Sequence, residues 1–308
     1  MSAAAEEKSD DTILCAGCGI AGGDDIILKK CACKLVQYCG VQCQKEHRAK
    51  HKKECKKRIA ELRDEILFNQ PEGNHLGDCP ICFLPIPLDE TKHVVSQCCS
   101  KVTCKGCQYA SFKSVGKNWK EAKCAFCRTL QMQSQEEFDR DEVKRAEAND
   151  PVALRQQGAR CHEKGDHGGA LKFWTKAAEL GSAEGHLSLA KLYFEGNGVE
   201  EDEKKARYHC EKAAIGGHPR ARYLLGCMEG GNGNKEKSVK HFIIAAKQGH
   251  EEALNRVKKW FLDGIASKEE YSSTLRGYQA AVDATQSAQR EEAYEFFRKI
   301  ESYTGRAL

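Results

Sequence analysis

Apolar residues recur at helical spacing in the second half of the chain. Residues three and four apart share one face of a helix, so such a stripe predicts a helix with one buried side. One stripe consists of Leu187, Ala190, Leu192 and Tyr193, and the next of Ala206, Tyr208, Ala213 and Ala214. From Ala146 onward we therefore expect an all-α region.

This region also repeats itself. The sequence KAAELG at 176–181 returns as KAAIGG at 212–217 and as IAAKQG at 244–249. Each unit is predicted to be a pair of helices, and such units stack into a solenoid because neither helix can bury its apolar face alone. The polar tail at 268–308 is predicted to form capping helices, whose apolar side consists of Tyr294, Phe296, Phe297, Ile300 and Tyr303.

The first half lacks this periodicity and carries short-spaced cysteines instead. Fifteen of the 18 cysteines precede residue 130, in two successive runs. A disulfide framework is the alternative, but it needs an oxidising compartment, and residues 1–11 have neither the basic nor the apolar part of a secretory signal. Close cysteine pairs with histidine in an intracellular protein predict zinc. We therefore expect metal, rather than an apolar core, to fold this half.

Charge and hydropathy restrict the partners only slightly. A net charge of +4 on 308 residues does not predict a nucleic-acid-binding protein, and the basic run at 45–63 is interpreted as a solvated helix face. A nucleic-acid binder is a third hypothesis that rests on this run alone, and the modest charge argues against it. No run approaches the roughly 18 apolar residues of a membrane span. The expected location is cytoplasmic, with the basic stretch at 52–58 as the argument for a nuclear one.

The first cysteine run offers eight zinc donors. Zinc takes four tetrahedral sulfur or nitrogen ligands, so eight donors fit two closed sites. The four-residue spacings 39/43 and 51/55 place both donors of a pair on one helix face, and residues 41–68, rich in Lys, Glu, Gln and Arg, are predicted to be helical. His47 is the alternative to His51, but it lacks the four-residue spacing to Cys55.

The residues of this run resemble a MYND-type zinc finger over 15–55. The match consists of Cys15-x-x-Cys18, Cys33, Tyr38-Cys39, Cys43-Gln44 and His51-x-x-x-Cys55. The resemblance implies two interleaved sites, one of Cys15, Cys18, Cys39 and Cys43 and one of Cys31, Cys33, His51 and Cys55. It also implies protein binding, often of proline-containing peptides. Arg48 stands where the family often has a tryptophan.

The second run resembles a RING finger over 78–130, through Cys79-x-x-Cys82, Cys104-x-x-Cys107 and Cys124-x-x-Cys127. The resemblance assigns one zinc to Cys79, Cys82, Cys104 and Cys107. The other takes Cys124 and Cys127 with two further donors, which we expect to be Cys98 and Cys99. The alternative is one of these two cysteines together with His93 or a water. Lys101 stands where the family has a histidine. About four zinc ions are expected in total.

The RING resemblance implies a ubiquitin ligase, which binds a charged ubiquitin-conjugating enzyme and orients its thioester. Three residues match the expected docking surface: Ile81 between the first two cysteines, Trp119 before the last pair, and Arg128 after it. Ala125 replaces the proline that the family has after its seventh ligand. Each match also has a plain interpretation, with Ile81 and Trp119 in the core of the module and Arg128 as a surface charge.

The repeated half resembles Sel-one-like repeats, relatives of the tetratricopeptide repeat. The best stretch is Leu192-Tyr193-x-x-Gly196-x-Gly198-Val199, followed by Asp202 and Lys205-Ala206. This resemblance implies a surface on which protein complexes assemble.

The sequence thus predicts a multidomain chain, in which two small zinc-stabilised modules precede an all-α helical-repeat solenoid. The expected segments are a disordered N-terminus (1–14), a MYND-like finger (15–55), a helical linker (56–77), a RING-like finger (78–130), a charged linker (131–150), Sel-one-like repeats (151–267) and capping helices (268–308). The leading hypothesis is a RING-type ubiquitin ligase whose finger and repeats bind a protein substrate. The alternative is a non-catalytic scaffold. No residue of the chain is expected to be catalytic itself.

Overall fold

The computed structural model describes residues 13–22, 26–116, 121–130 and 134–304. Within these ranges the chain forms twelve α-helices and four short β-strands. It divides into two units, with the boundary between Asn69 and Gln70. The predicted disordered N-terminus lies almost wholly outside the described residues and stays a prediction.

The first unit contains two short strands and one long helix. Strands β1 (Lys29–Lys30) and β2 (Gln37–Tyr38) pair antiparallel. Helix α1 (Val41–Leu67) contains neither glycine nor proline, so nothing interrupts its hydrogen-bond ladder, and the helix predicted at 41–68 is confirmed. His51 and Leu67 are its buried residues. The basic run therefore lies on a solvated helix face, as expected.

Cysteines, rather than aliphatic side chains, fill the centre of this unit. Its buried cluster consists of Cys15, Cys31, Cys33 and Tyr38. A core this small cannot offset the conformational entropy of ordering the chain. The first unit therefore needs metal for its stability.

The second unit begins with a cysteine module of one hairpin and one helix. A 3-10 turn (Glu90–Lys92) leads into β3 (His93–Val95), which pairs antiparallel with β4 (Val102–Cys104). Helix α2 (Lys105–Ser114) follows directly. The Cys104 sulfur caps this helix by accepting a hydrogen bond from the Cys107 N–H at 3.4 Å.

The helical region begins with eight consecutive helices, each packed against its neighbours. Asp150, Ser182 and Asp202 accept hydrogen bonds from first-turn N–H groups and start three of them. Gly181, with φ of 87°, stands in the left-handed region that ends a helix. The helices are α3 (Gln135–Glu147), α4 (Pro151–Glu163), α5 (His167–Glu179), α6 (Ala183–Glu195), α7 (Glu203–Ile215), α8 (Pro219–Gly231), α9 (Lys235–Lys247) and α10 (Glu251–Leu262).

The predicted apolar stripe is confirmed in α6 and corrected in α7. Leu187, Ala190 and Leu192 of α6 are buried. Tyr208 of α7 is 52% exposed, whereas Ala206 is fully buried. The physical reason is helix geometry, since residues two apart point to nearly opposite sides. The prediction that Tyr208 belongs to the core is therefore wrong.

Gly158 allows α4 and α5 to approach closely. The Trp174 indole lies over it, and its Nε1–H donates to the Arg155 carbonyl at 3.1 Å. A Cβ atom at position 158 would lie 2.4 Å from that nitrogen. We expect Gly158→Ala to lower the free energy of unfolding by about 1–3 kcal/mol, the usual cost of overpacking. Urea unfolding followed by circular dichroism measures the change.

Gly231→Ala is the matched control for this substitution. Gly231 ends α8, and a Cβ there would meet no atom within 4 Å. Alanine also loses less backbone entropy on folding than glycine, so we expect a gain of up to about 1 kcal/mol. Equal unfolding midpoints for the two variants would contradict the steric argument.

The segment expected to be a charged linker at 131–150 contains α3, which packs on α4. Its residue Glu142 is 1% exposed. The Glu142 carboxylate accepts hydrogen bonds from Gln157 Nε2 at 2.8 Å and from Arg160 Nη2 at 2.9 Å. The charges of this segment therefore bind one helix to the next, which corrects the linker prediction.

The tail forms two helices that pack on different parts of the second unit. Helix α11 (Lys268–Ala284) packs on α9 and α10 and so covers the end of the repeats. Helix α12 (Ala288–Thr304) packs on α2 of the cysteine module. The ring of Phe296 lies 4.7 Å from that of Tyr109, and Phe297 is buried. The prediction of capping helices is thus corrected for α12, because its aromatic side matches the aromatic face of α2.

Candidate metal centres

Sixteen cysteine and histidine side chains form four groups of four in the described residues. In each group one donor atom per residue lies within 4.8 Å of the other three. Four sulfurs placed about 2.3 Å from a tetrahedral zinc would be about 3.8 Å apart. Neighbouring sulfurs in the groups are separated by 3.2–3.9 Å. Donor chemistry and spacing therefore both fit zinc.

The first group contains Cys15, Cys18, Cys39 and Cys43. The Cys39 sulfur lies 3.6 Å from those of Cys15 and Cys18 and 3.5 Å from that of Cys43. Gly17 is required at the turn, because a Cβ there would lie 2.5 Å from the Cys43 Cβ. Hydrogen bonds from the Cys39 and Cys18 backbone N–H groups lower the pKa of Cys15 to about 6. This favours the thiolate, which is the form that binds metal.

The second group contains Cys31, Cys33, His51 and Cys55. His51 Nε2 lies 3.0 Å from the Cys33 sulfur, and the Cys31 and Cys55 sulfurs are 3.6 Å apart. His47, the alternative donor, instead places its Nδ1 3.0 Å from the Tyr38 hydroxyl. The structure thus brings His51 into the group and leaves His47 beside it, stacked on the His51 ring.

The third group contains Cys79, Cys82, Cys104 and Cys107. A hydrogen bond with Cys104 outweighs burial and lowers the pKa of Cys79 to about 4. Arg290 of α12 also reaches this group. Its Nη2–H donates to the Cys82 sulfur at 3.3 Å and to the Leu84 carbonyl at 3.1 Å. The guanidinium charge offsets part of the negative charge that four thiolates leave on a divalent ion.

The fourth group contains Cys98, Cys99, Cys124 and Cys127. The Cys98 and Cys127 sulfurs are 3.2 Å apart, and those of Cys99 and Cys124 are 3.9 Å apart. The structure therefore brings both adjacent cysteines into the group. His93, the alternative donor, lies outside it, with its Nδ1 3.0 Å from the Pro87 carbonyl oxygen.

One turn geometry recurs at the cysteine pairs. The Cys79 N–H donates to the Leu84 carbonyl, the Phe83 N–H donates to the Cys79 carbonyl, and Phe83 has φ of 57°. The same two hydrogen bonds and a left-handed residue occur at 124–129. They occur again at 96–101, where Ser96 takes the position of the first cysteine and Ser100 has φ of 57°. Cys98 therefore supplies a donor from within the turn.

This geometry makes a specific prediction for the fourth group. Cys98→Ser removes one of four donors, so we expect the protein to lose one zinc ion per chain. Adding Ser96→Cys rebuilds the regular Cys-x-x-Cys turn. The Ser96 side chain of the wild type already lies close enough to hydrogen-bond Cys124. We expect the double variant to recover the lost zinc. Elemental analysis of zinc per chain measures both results.

Cys227→Ser is the control, because Cys227 lies in the repeats and outside all the metal groups found in the described ranges. Its zinc content should equal that of the wild type. A full zinc complement in Cys98→Ser would contradict the assignment of Cys98.

The three predicted docking residues have different surroundings. Ile81 is half-buried and packs against the buried cluster of Cys79, Ile86 and Cys104. Arg128 is exposed, and its backbone occupies the left-handed position of a cysteine turn, with φ of 66°. Trp119 lies outside the described residues. Ile81 therefore contributes to the core of the module, whereas Arg128 lies on its surface.

Comparison with known proteins identifies two parts of the chain. The MYND finger family matches residues 15–55. The Sel1 repeat family matches residues 154–182, 183–218 and 219–250. The chain therefore carries a MYND finger, which implies zinc binding, followed by Sel1 repeats, and both resemblances inferred from the motifs are confirmed. The two matches lie on either side of residues 78–130, so the RING resemblance stays a prediction.

Individual relatives cover limited regions. Chitin synthase regulatory factor 4 of Schizosaccharomyces pombe is 36% identical over 89 residues, which span 29% of this chain and 14% of that protein. A Sel1 repeat protein from Oxalobacter formigenes is 30% identical with a TM-score of 0.36, over 39% of this chain and 97% of that one. The protective antigen c5321 of uropathogenic Escherichia coli is 21% identical with a TM-score of 0.39, over 54% and 41%.

Two residues near the groups were not found from the sequence. Ser96 carries no metal-ligand signal, and Arg290 lies more than 200 residues from the sulfur that it contacts.

No helix in the described ranges combines the length and hydropathy that crossing a bilayer requires.

Proposed function

We propose that this protein is a zinc-dependent scaffold that binds other proteins through its MYND finger and its Sel1 repeats. The observation that carries the proposal is that each cysteine group supplies four donors. A zinc held by four protein ligands has no position left for a substrate or a reactive water. Zinc would then supply stability to small binding surfaces, held by the sixteen donors of the four groups, rather than chemistry.

The repeats offer a surface suited to this role. Phe194 of α6 is 57% exposed and Tyr208 of α7 is 52% exposed. Aromatic residues are enriched at protein interfaces, and tyrosine is among the residues that dominate binding energy there. Chitin synthase regulatory factor 4 is, by its name, a regulator of an enzyme, and a repeat surface that holds one protein beside another suits a regulator.

Peptide selection tests this proposal directly. A displayed peptide library, including proline-containing sequences, is selected on the zinc-loaded protein and separately on Cys33→Ser and Tyr208→Ala. We expect sequences that need the finger to be lost with Cys33→Ser, and sequences that need the repeats to be lost with Tyr208→Ala. No enrichment on the wild-type protein would count against the scaffold.

A ubiquitin ligase is the second candidate, supported by the pairing of the third and fourth groups. Their cysteine pairs alternate along the chain, as in a RING finger, and α2 follows the third pair. Such a module would bind a charged ubiquitin-conjugating enzyme and act by orienting its thioester. Arg128 would then contact both proteins, and Ile81 would shape the docking loop.

Ubiquitin discharge separates the two candidates. A panel of charged conjugating enzymes is mixed with free lysine and zinc-loaded protein, beside Ile81→Ala and Arg128→Ala. The scaffold predicts no acceleration by the wild type. Acceleration that both variants lose, with zinc content unchanged, would establish the ligase.

A further inference from the structure

Three side chains from separate segments meet where the cysteine module joins the repeats. His75 precedes the module, Glu184 lies in the first turn of α6, and His218 precedes α8. Nε2 of His75 is 2.9 Å, and Nε2 of His218 is 3.2 Å, from the same carboxylate oxygen, Glu184 Oε1. The three donor atoms all lie within 4.8 Å of one another.

Hydrogen bonds and ring stacking hold the segments of this junction group together. The His75 N–H donates to the Gly217 carbonyl at 3.0 Å. The Gln248 side-chain amide donates to the Gly73 and Gly217 carbonyls at 2.8 and 3.0 Å. The two imidazole rings stack with their centroids 3.8 Å apart. The three segments are therefore held together before any ligand arrives, and one of the nearly parallel rings would have to tilt for both Nε2 atoms to face one ion.

His218 is buried without the hydrogen bonds that a buried imidazole needs. Its side chain is 6% exposed. Neither of its ring nitrogens has a hydrogen-bond partner among the described residues, since the approach of Nε2 to Glu184 is close but not aligned. A buried polar group that lacks a hydrogen bond carries a free-energy cost. A ligand that binds this nitrogen would remove that cost.

The environment of the group favours an ionised Glu184 and a neutral His218. Burial acts to raise the pKa of Glu184, but the two imidazoles outweigh it and hold that pKa below its usual range. Burial lowers the pKa of His218 and outweighs Glu184, which acts to raise it. A carboxylate and neutral imidazoles are the metal-binding forms. The positive charges of Lys191 and Arg220 oppose a cation, so we expect weaker binding than in the cysteine groups.

We propose that His75, Glu184 and His218 form a fifth metal site, which binds a divalent transition metal such as zinc and ties the cysteine module to the repeats. Two imidazoles and one carboxylate are a ligand set that zinc takes, whereas calcium and magnesium prefer oxygen ligands. Ligand atoms on a tetrahedral zinc at about 2.05 Å are about 3.3 Å apart, close to the separations of both imidazole nitrogens from Oε1. Three protein ligands leave the fourth position to water.

Co²⁺ is the probe for this site. It is added to full-length protein whose cysteine groups are loaded with zinc, and binding is followed by visible absorption. We expect one Co²⁺ per chain, with bands that lack the sulfur-to-cobalt charge transfer of thiolate sites. Absence of binding, or cobalt that appears only with the sulfur band, would overturn the proposal, because the junction would then be held by hydrogen bonds alone.

Glu184→Gln tests the ligand assignment, because it keeps the side-chain shape and removes the charge. We expect its Co²⁺ affinity to fall at least about tenfold, the lower end of what losing even an outer-shell partner costs. The control is His209→Gln in the neighbouring histidine pair, where the Nδ1 atoms of His186 and His209 are 3.0 Å apart without belonging to any metal group among the described residues. Its affinity should be unchanged. Equal affinities for Glu184→Gln and wild type would also overturn the assignment.

Discussion

Removal of zinc is expected to unfold both cysteine-rich segments while helices α4–α10 stay folded. Structural zinc contributes about 10–16 kcal/mol in small finger peptides, as much as the total stability of a typical domain at about 5–15 kcal/mol. The buried cluster of the second-unit module contains three cysteines and one aliphatic residue, Ile86. The repeats bury leucine, alanine and aromatic residues instead. Stability in the two halves therefore has different sources.

Hydrogen exchange measured by mass spectrometry follows this effect in the full-length protein. Zinc is removed with a chelator under reducing conditions, and its loss is verified by elemental analysis. Amides of α1 and of residues 93–114 should lose protection, and those of α5–α9 should keep it. Helix α12 should also lose protection, because it packs on α2. Undiminished protection at 93–114 in the zinc-free protein would contradict the prediction.

Truncation of Phe242 is expected to be the most destabilising single substitution in the repeats. Phe242 is 2% exposed and lies in the buried cluster of α9 and α10. Its ring meets Trp260 edge-on at 6.2 Å, and it fills the space over Gly226. We expect Phe242→Ala to lower the free energy of unfolding by about 3–5 kcal/mol. Urea unfolding monitored by circular dichroism measures the loss.

Phe194→Ala is the matched control, because it removes the same atoms from a ring that is 57% exposed. Surface substitutions usually change stability by less than about 0.5 kcal/mol. In a repeat array the loss at Phe242 should appear first in its own neighbours, so α8–α10 should exchange faster than α4–α6. Similar midpoints for the two variants would show that the packing around Phe242 contributes little.

The donor groups could be predicted because short spacings fix local geometry. A turn between two cysteines and a four-residue step on a helix each bring two donors together, whatever surrounds them. The roles of the adjacent cysteines Cys98 and Cys99 were harder to predict, because Ser96 occupies a turn position that elsewhere holds a cysteine. The repeats could be predicted from internal similarity, because helices that stack in equivalent positions have similar sequences.

Contacts between distant segments could not be predicted from local pattern. His75 and Glu184 are 109 residues apart, and Arg290 and Cys82 are 208 apart. The acidic residues of α3 look like solvated charge in the sequence, and only the packing of α3 on α4 shows that Glu142 is buried. The aromatic side of α12 was predicted to cap the repeats. That prediction was wrong because an apolar stripe in a sequence does not specify which surface it will meet.

The contact between Arg290 and the cysteine module has a consequence for biosynthesis. Ribosomes add about 5–20 residues per second, so the 208 residues that separate Cys82 from Arg290 take about 10–40 s to emerge. During that interval the nascent module would have to hold a metal without the guanidinium and without the aromatic cover of α12. Its thiolates are then most open to oxidants, and a chain that terminates early would keep them in that state permanently.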